Sequence, residues 1–71
     1  MARSEYEIKK ILVQGTSIMV SAEDYNGFTL KKFAELANES GAVLTITDSD
    51  EINSFDIVKI AEKGQRNVVL R

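Results

Sequence analysis

The sequence predicts a small α/β fold made of three tandem helix–glycine–strand units, with element order αβαβαβ and one three-stranded parallel sheet. Three observations carry this prediction. Helix-start signals recur at positions 4, 26 and 53, glycines follow at 15, 41 and 64, and a strand-like run follows each glycine. Since strand–helix–strand connections in one sheet are right-handed, we expect strand order 1-2-3 with all helices on one face, a solenoid-like stack.

Each helix is expected to begin at a side chain that can accept a hydrogen bond from a free backbone N–H. Ser4, Asn26 and Asn53 have this chemistry. Glu7 and Asp56 lie three residues after Ser4 and Asn53, at the spacing of a capping box. An aromatic residue follows each cap by two positions, and we expect these rings to pack in the core or between units: Tyr6, Phe28 and Phe55.

Apolar residues then continue at helical spacing and mark the face of each helix that should be buried. They are Ile8, Ile11 and Leu12 in the first unit, Leu30, Phe33, Leu36 and Ala37 in the second, and Ile57, Ile60 and Ala61 in the third. The glycine after each pattern is expected to close the last helical turn in the left-handed conformation. The middle helix is longer by four residues, about one turn, so its apolar face stays in phase.

The runs SIMVSA (17–22), VLTIT (43–47) and NVVLR (67–71) alternate at period two and are rich in β-branched residues, as strands are. One sheet face should therefore lie against the helices, with Ile18, Val20, Leu44, Ile46, Val68 and Leu70. The opposite face should carry Met19, Ser21, Val43, Thr45, Thr47 and Val69.

A second interpretation of the N-terminal segment stays open. Residues 8–20 are rich in Ile, Leu and Val, and they could form a β-hairpin that turns at Gln14-Gly15. The element order would then be ββαβαβ, with the later two units unchanged. The repeat pattern from Ser4 to Gly15 favours the helix.

Composition restricts the classes of function. The 71 residues make one small domain, residues 1–71, with repeat units at about 4–22, 26–47 and 53–71. The chain contains no Cys and no His, which excludes disulfides, thiolate ligands and imidazole chemistry. No apolar run approaches the roughly 18 residues of a membrane span. We expect a cytoplasmic protein without a membrane segment and without a cofactor.

The loops after the first two strands hold the most concentrated chemistry, at the sheet edge where ligands of parallel α/β folds commonly bind. Five carboxylates lie in these loops: Glu23, Asp24, Asp48, Asp50 and Glu51. They could suit a hard cation, but the calcium-loop pattern fails, because Asn53 and Lys59 stand where the glycine and the bidentate glutamate are required. Acidic residues ahead of helix N-termini are explained by the helix dipole, so we expect no metal site. No nucleophile is paired with a base, so we expect no enzyme activity.

Two lysine pairs lie at equivalent positions of the first two helical patterns: Lys9, Lys10, Lys31 and Lys32. Adjacent helices would align them as a short basic stripe, a feature that attracts phosphate backbones. The net charge is −2, however, and the aromatic residues are assigned to the core. Without exposed rings among the lysines, the sequence argues against nucleic acid as the partner.

The strongest functional indication is the surface that the predicted fold leaves uncovered. An open sheet has two edges with unpaired backbone groups, and its non-helix face is apolar enough to meet a second sheet. The candidate interface residues are Met19, Val43, Thr45, Val69 and Arg71. We expect a non-catalytic protein of structure or assembly that associates with itself through sheet edges or this face, as a dimer or a head-to-tail filament.

Two other functions are kept as alternatives. The chain could be an adaptor or accessory protein, of the phage or plasmid type, that binds another protein by a sheet edge or the exposed face. The least favoured alternative is a weak nucleic-acid binder that uses the lysine stripe.

Overall fold

The computed structural model describes residues 2–71, and in this range the chain forms three helices and one three-stranded parallel sheet. The helices are α1 (Glu5–Val13), α2 (Gly27–Ser40) and α3 (Ser54–Gly64), and the strands are β1 (Ile18–Ser21), β2 (Leu44–Thr47) and β3 (Val68–Leu70). The alternation of helix and strand is confirmed. The hairpin alternative for the N-terminal segment is wrong, because residues 5–13 are helical.

The strands lie in the order β1-β2-β3, and β2 pairs in parallel with both neighbours. Two short 3-10 helices, Ser49–Glu51 and Gln65–Asn67, were not predicted. The first lies between β2 and α3, and the second lies between α3 and β3.

The three helix starts are as predicted, and each cap accepts a hydrogen bond from the backbone N–H three residues later. The donor–acceptor distances are 3.2 Å for Glu7 N to Ser4 Oγ, 2.8 Å for Thr29 N to Asn26 Oδ1 and 2.8 Å for Asp56 N to Asn53 Oδ1. Each bond satisfies a backbone donor that has no partner within its helix, which stabilises the helix by about 1 kcal/mol.

Two of the three glycines close a helix as expected, and the third has a different role. Gly15 and Gly41 both have a φ of 83°, in the left-handed region. Gly64 has a φ of −91°, and the positive φ falls on Gln65 instead. Gly64 is buried, and a Cβ there would lie 3.2 Å from the Cβ of Ala34 and would overlap the side chain of Val68. Its missing side chain therefore lets α3 approach both α2 and β3.

The core lies between the helices and one face of the sheet, and the middle unit supplies most of it. In β2, Leu44 and Ile46 are fully buried whereas Thr45 and Thr47 are partly exposed, which is the predicted alternation. The largest fully buried side chains are Phe33, Ile8, Leu12, Leu30, Leu44, Ile46 and Ile60. The middle unit also buries Ala34, Ala37 and Ala42.

The third unit is less buried than the sequence predicts. Leu70 is 39% exposed, although it shares a register row with Val20 and Ile46, and Ala61 is exposed on α3. Ile57 and Val68 are only partly buried. The reason is position: β3 and α3 have a neighbour on a single side, whereas the outer side of β1 is also flanked by the N-terminal segment, where Tyr25 bonds to Arg3.

The prediction that the three aromatic rings are buried is wrong. Tyr6, Phe28 and Phe55 are 69%, 65% and 70% exposed. Each ring lies two residues before an aliphatic residue that packs inward, and residues two apart point to nearly opposite sides of a helix. The apolar face that buries Ile8 and Leu30 therefore directs Tyr6 and Phe28 outward.

Replacing Gly64 with Ala is expected to lower the free energy of unfolding by about 1–3 kcal/mol, because the added methyl group overfills the site between α3 and β3. Urea unfolding followed by circular dichroism measures the loss. The same substitution in a Val68→Ala background should cost less, because the side chain it overlaps is smaller. An unchanged unfolding free energy in the single variant would contradict this role for Gly64.

Candidate interaction surfaces

The uncovered face of the sheet holds four of the five predicted interface residues. The register aligns Met19, Thr45 and Val69 in one row across the three strands. Met19 is 58% exposed, Val69 is 42% exposed and Val43, just before β2, is 37% exposed. In residues 2–71, the helices pack on the other face, where Leu44 and Ile46 are buried.

Arg71, the fifth predicted interface residue, extends the sheet by its backbone. Its N–H donates to the carbonyl of Ile46 at 2.9 Å, and its carbonyl accepts from the backbone N–H and the hydroxyl of Ser49, at 3.1 and 2.9 Å. The pairing of β3 with β2 thus continues to the last residue of the chain, and Arg71 lies at the rim rather than the centre of the face.

The acidic loops do not converge on one point. Asp48, with a φ of 57°, accepts a hydrogen bond from the Ser21 hydroxyl at 2.8 Å, which links the ends of β1 and β2. The other four predicted loop residues are exposed: Glu23, Asp24, Asp50 and Glu51. Within the described residues, no three Asp, Glu, His or Cys side chains are placed to hold a metal ion together.

The outer edge of β1 is flanked by the N-terminal segment. The hydroxyl of Tyr25 donates to the carbonyl of Arg3, and the Tyr25 ring packs edge-on against Phe33 with centroids 5.2 Å apart. Burial, with the charge of Asp24 as a smaller cause, raises the pKa of Tyr25. A groove of about 250 Å³ lies between this segment and β1. The two sheet edges therefore differ, since β1 has this neighbour on its outer side.

The lysines of the stripe have two roles: some form ion pairs with carboxylates, and the stripe also faces solvent. Lys9 contacts Glu5 at 3.0 Å within α1, Lys31 contacts Asp56 of α3 at 3.3 Å, and the ammonium of Lys32 lies 3.9 Å from Glu5. The hydrogen bond from Lys9 is the largest cause that lowers the pKa of Glu5 below its ordinary value, against a smaller opposing effect of desolvation. The stripe thus joins neighbouring helices as well as facing solvent.

A feature that the sequence analysis missed is a row of three exposed rings, each with a lysine over it. The ammonium groups lie 5.6 Å from the Tyr6 centroid for Lys10, 4.6 Å from Phe28 for Lys32 and 5.5 Å from Phe55 for Lys59. We call these six residues the ring–lysine row. The signal is present in the sequence: in each unit an aromatic residue follows the cap by two positions and a lysine follows the ring by four. Residues four apart on a helix are neighbours, so the pairing could have been predicted.

The free flank of α3 is apolar. Asp56 and Lys63 contact Lys31 and Glu35 of α2, so this side of α3 faces its neighbour. Val58 lies two residues after Asp56, on the opposite side, and is 55% exposed. The first two units have a lysine at the position of Val58, namely Lys9 and Lys31.

Among residues 2–71, the helices are too short or too polar to cross a membrane. Comparisons with protein-family models, curated proteins and solved structures gave no match for this chain.

Replacing Glu5 with Gln is expected to change the pH dependence of stability. A carboxyl with a lowered folded-state pKa stabilises the fold above its ordinary pKa, here 4.5, and this stabilisation is lost as the pH falls through the lower value. The variant should therefore be less stable than the parent at neutral pH, and the difference should vanish in acid. Thermal unfolding at a series of pH values measures it.

Glu39→Gln is the matched control for this substitution, because Glu39 has no ion pair within 4.0 Å among the described residues. A Glu5→Gln effect that is independent of pH, or an equal effect in the control, would rule out the ion-pair explanation. High salt should reduce the Glu5→Gln difference, because exposed ion pairs are screened.

Proposed function

We propose that this protein is a non-catalytic assembly protein that associates with a second copy of itself through the uncovered face of its sheet. One observation carries the proposal: a parallel sheet whose helices all pack on one side. Parallel sheets almost always have both faces covered, because their strands are hydrophobic on both sides. A second sheet packed on Met19, Thr45 and Val69 supplies the missing layer.

The charge distribution of the face fits a second copy. The central row contains Met, Thr and Val, and the neighbouring side chains on the face within the described residues, Ser21, Val43 and Thr47, are also uncharged. Asp48 and Arg71 lie at the rim. A surface without charge at its centre meets its own copy without repulsion, and interface cores are depleted of charged residues.

The broad side of the molecule that contains the bare sheet face has the size of a stable interface. The Cα atoms span 29 × 27 × 18 Å, so the molecule is a slab two layers thick. The three strands cover only about 14 × 13 Å of the broad side, at ~4.8 Å between strands and ~3.3 Å per residue, so an interface of the standard ~800 Å² per partner would also include the loops around the sheet face. Two such sheets packed about a two-fold axis would place both helical layers on the outside.

The ends of the solenoid-like stack favour a closed dimer over a head-to-tail filament. A filament would bring the free flank of the third unit, with the exposed side chains of Val58 on α3 and Leu70 on β3, against the free flank of α1. That side of α1 carries Glu7, which pairs with Arg3 at 3.4 Å. Placing an exposed ion pair against an apolar flank costs desolvation, so the two ends are poorly matched.

Met19→Glu is the direct test. By light scattering after gel filtration, the parent protein should have twice the 7.9 kDa mass of one chain, and the variant should have the mass of a single chain. The new carboxylate would be buried in the interface without a partner, which is strongly unfavourable. Val13→Glu is the matched control, because Val13 is 57% exposed against 58% for Met19 but lies on α1; its mass should not change.

A parent protein that stays at one chain mass up to millimolar concentration would overturn the proposal. A different protein recovered in stoichiometric complex, with binding lost in Met19→Glu, would overturn the second copy as occupant and make the chain an adaptor. Circular dichroism of each variant verifies that it is folded.

A further inference from the structure

We propose that the opposite surface of the molecule, the ring–lysine row on the helices, binds single-stranded nucleic acid. The row consists of Tyr6 with Lys10, Phe28 with Lys32 and Phe55 with Lys59. This proposal is independent of the dimer, because the row lies on the helical layer and the proposed dimer interface lies on the bare face of the sheet.

The row has a regular geometry because the same position is used in each unit. Each ring is the second residue of its helix, and its lysine lies one turn further along. The three helices are joined by right-handed crossovers in one parallel sheet, so they begin at the same edge and lie side by side. Packed helices lie 8–10 Å apart, so neighbouring rings are separated by about 10 Å.

The three rings are exposed to nearly the same extent. Their exposed fractions, 69% for Tyr6, 65% for Phe28 and 70% for Phe55, differ little. None is needed for the core, whose aromatic pair is Phe33 with Tyr25. The three rings therefore add little to the core, beyond about 0.5–1 kcal/mol for each exposed contact with a lysine.

The lysines of the row are held loosely by carboxylates. Lys32 and Lys59 lie 3.9 Å from Glu5 and Glu62, and Lys10 has no carboxylate within 4.0 Å among the described residues. Two lysines outside the row are bound more closely, at 3.0 Å for Lys9 and 3.3 Å for Lys31, whereas Lys63 lies 3.8 Å from Glu35. Lys32 has both roles, because it lies over Phe28 and also approaches Glu5 of α1, whereas Lys59 pairs only within its own helix.

A single strand of nucleic acid combines the two chemistries that this surface offers. Its bases stack on exposed aromatic rings, and its phosphates attract the ammonium groups beside them. Between α2 and α3, a groove of about 310 Å³ lies next to Phe28 and is lined by three lysines and one glutamate, Lys31, Lys32, Lys63 and Glu35. Each lysine of this groove lies near a carboxylate, namely Asp56 for Lys31, Glu5 for Lys32 and Glu35 for Lys63, so the phosphates of a bound strand would compete with these ion pairs.

Other partners fit the surface less well. Protein interface cores are depleted of lysine, and this row has a lysine at every ring. A membrane surface requires a continuous apolar face on the helices, whereas here charged side chains separate the rings. A duplex hides the faces of its bases, so it could use the lysines but not the rings.

The test is fluorescence anisotropy of a labelled 15-nucleotide oligo(dT) at low salt, with the parent protein and two variants. Phe28→Ala/Phe55→Ala should weaken binding at least tenfold, since stacking contributes about 1–3 kcal/mol per base. Lys10→Gln/Lys32→Gln/Lys59→Gln should weaken binding and lower the salt dependence, because three phosphate contacts on a single strand correspond to a logarithmic slope of about −2.

Val13→Ala is the matched control, since it removes a residue of similar exposure outside the row; its affinity for oligo(dT) should equal that of the parent protein. Equal binding of a 15-base-pair duplex, or full binding by the ring variant, would overturn the proposal. So would no binding of oligo(dT) at millimolar protein, or binding only to vesicles of anionic lipid. The rings are exposed, and circular dichroism should show both variants folded.

Discussion

The packing of α2 on β2 is the interaction on which the rest of the structure depends. Phe33 and Leu30 on the helix cover Leu44 and Ile46 on the strand, and all four side chains are fully buried. Each fully buried side chain of this size contributes about 1.5–3 kcal/mol from the removal of apolar surface from water. The outer units add Ile8, Leu12 and Ile60 to the same core, so they are stable only against the middle unit.

Polar interactions then position α1 and α3 relative to α2. Glu5 reaches from α1 to Thr29 and Lys32 of α2, and Asp56 reaches from α3 to Lys31. These pairs are partly exposed, and such pairs contribute little stability individually. Their effect is on the relative position of the helices, and the same position aligns the rings on the outer surface.

Much of the fold could be predicted from the sequence because the repeated signals are local. Caps such as Asn26 and Asn53 act on the next few backbone groups. The alternation of buried and partly exposed residues in β2 depends only on which face of the sheet the helices cover. The predicted burial of a side chain or the predicted role of a glycine was wrong where it depends on contacts between units. Leu70 has the pattern of a core residue but lies on the last strand, and Gly64 makes room for packing where a cap was expected.

The surface features were also predicted only in part. The bare sheet face with Met19 and Val69 follows from alternation, and it was found. The outward position of Phe28 also follows from helical geometry, since it lies two residues before Leu30, but the shared position of the rings was interpreted as shared packing. The pairing of Lys9 with Glu5 lies within α1 at a spacing of four residues and could have been predicted, whereas the looser pairing of Lys32 with Glu5 depends on the distance between helices, which the sequence does not contain.

The dependence of both outer units on one central unit also determines how the molecule opens. The third unit has the fewest buried side chains, so α3 and β3 are the part expected to separate first, and amide hydrogen exchange should be fastest there and slowest in α2 and β2. Their separation uncovers the edge of β2 that β3 normally occupies. The sequence that fits this edge best is β3 itself, from the same chain or from another. The fold therefore contains a route to exchange of its last helix and strand between two chains, which is domain swapping.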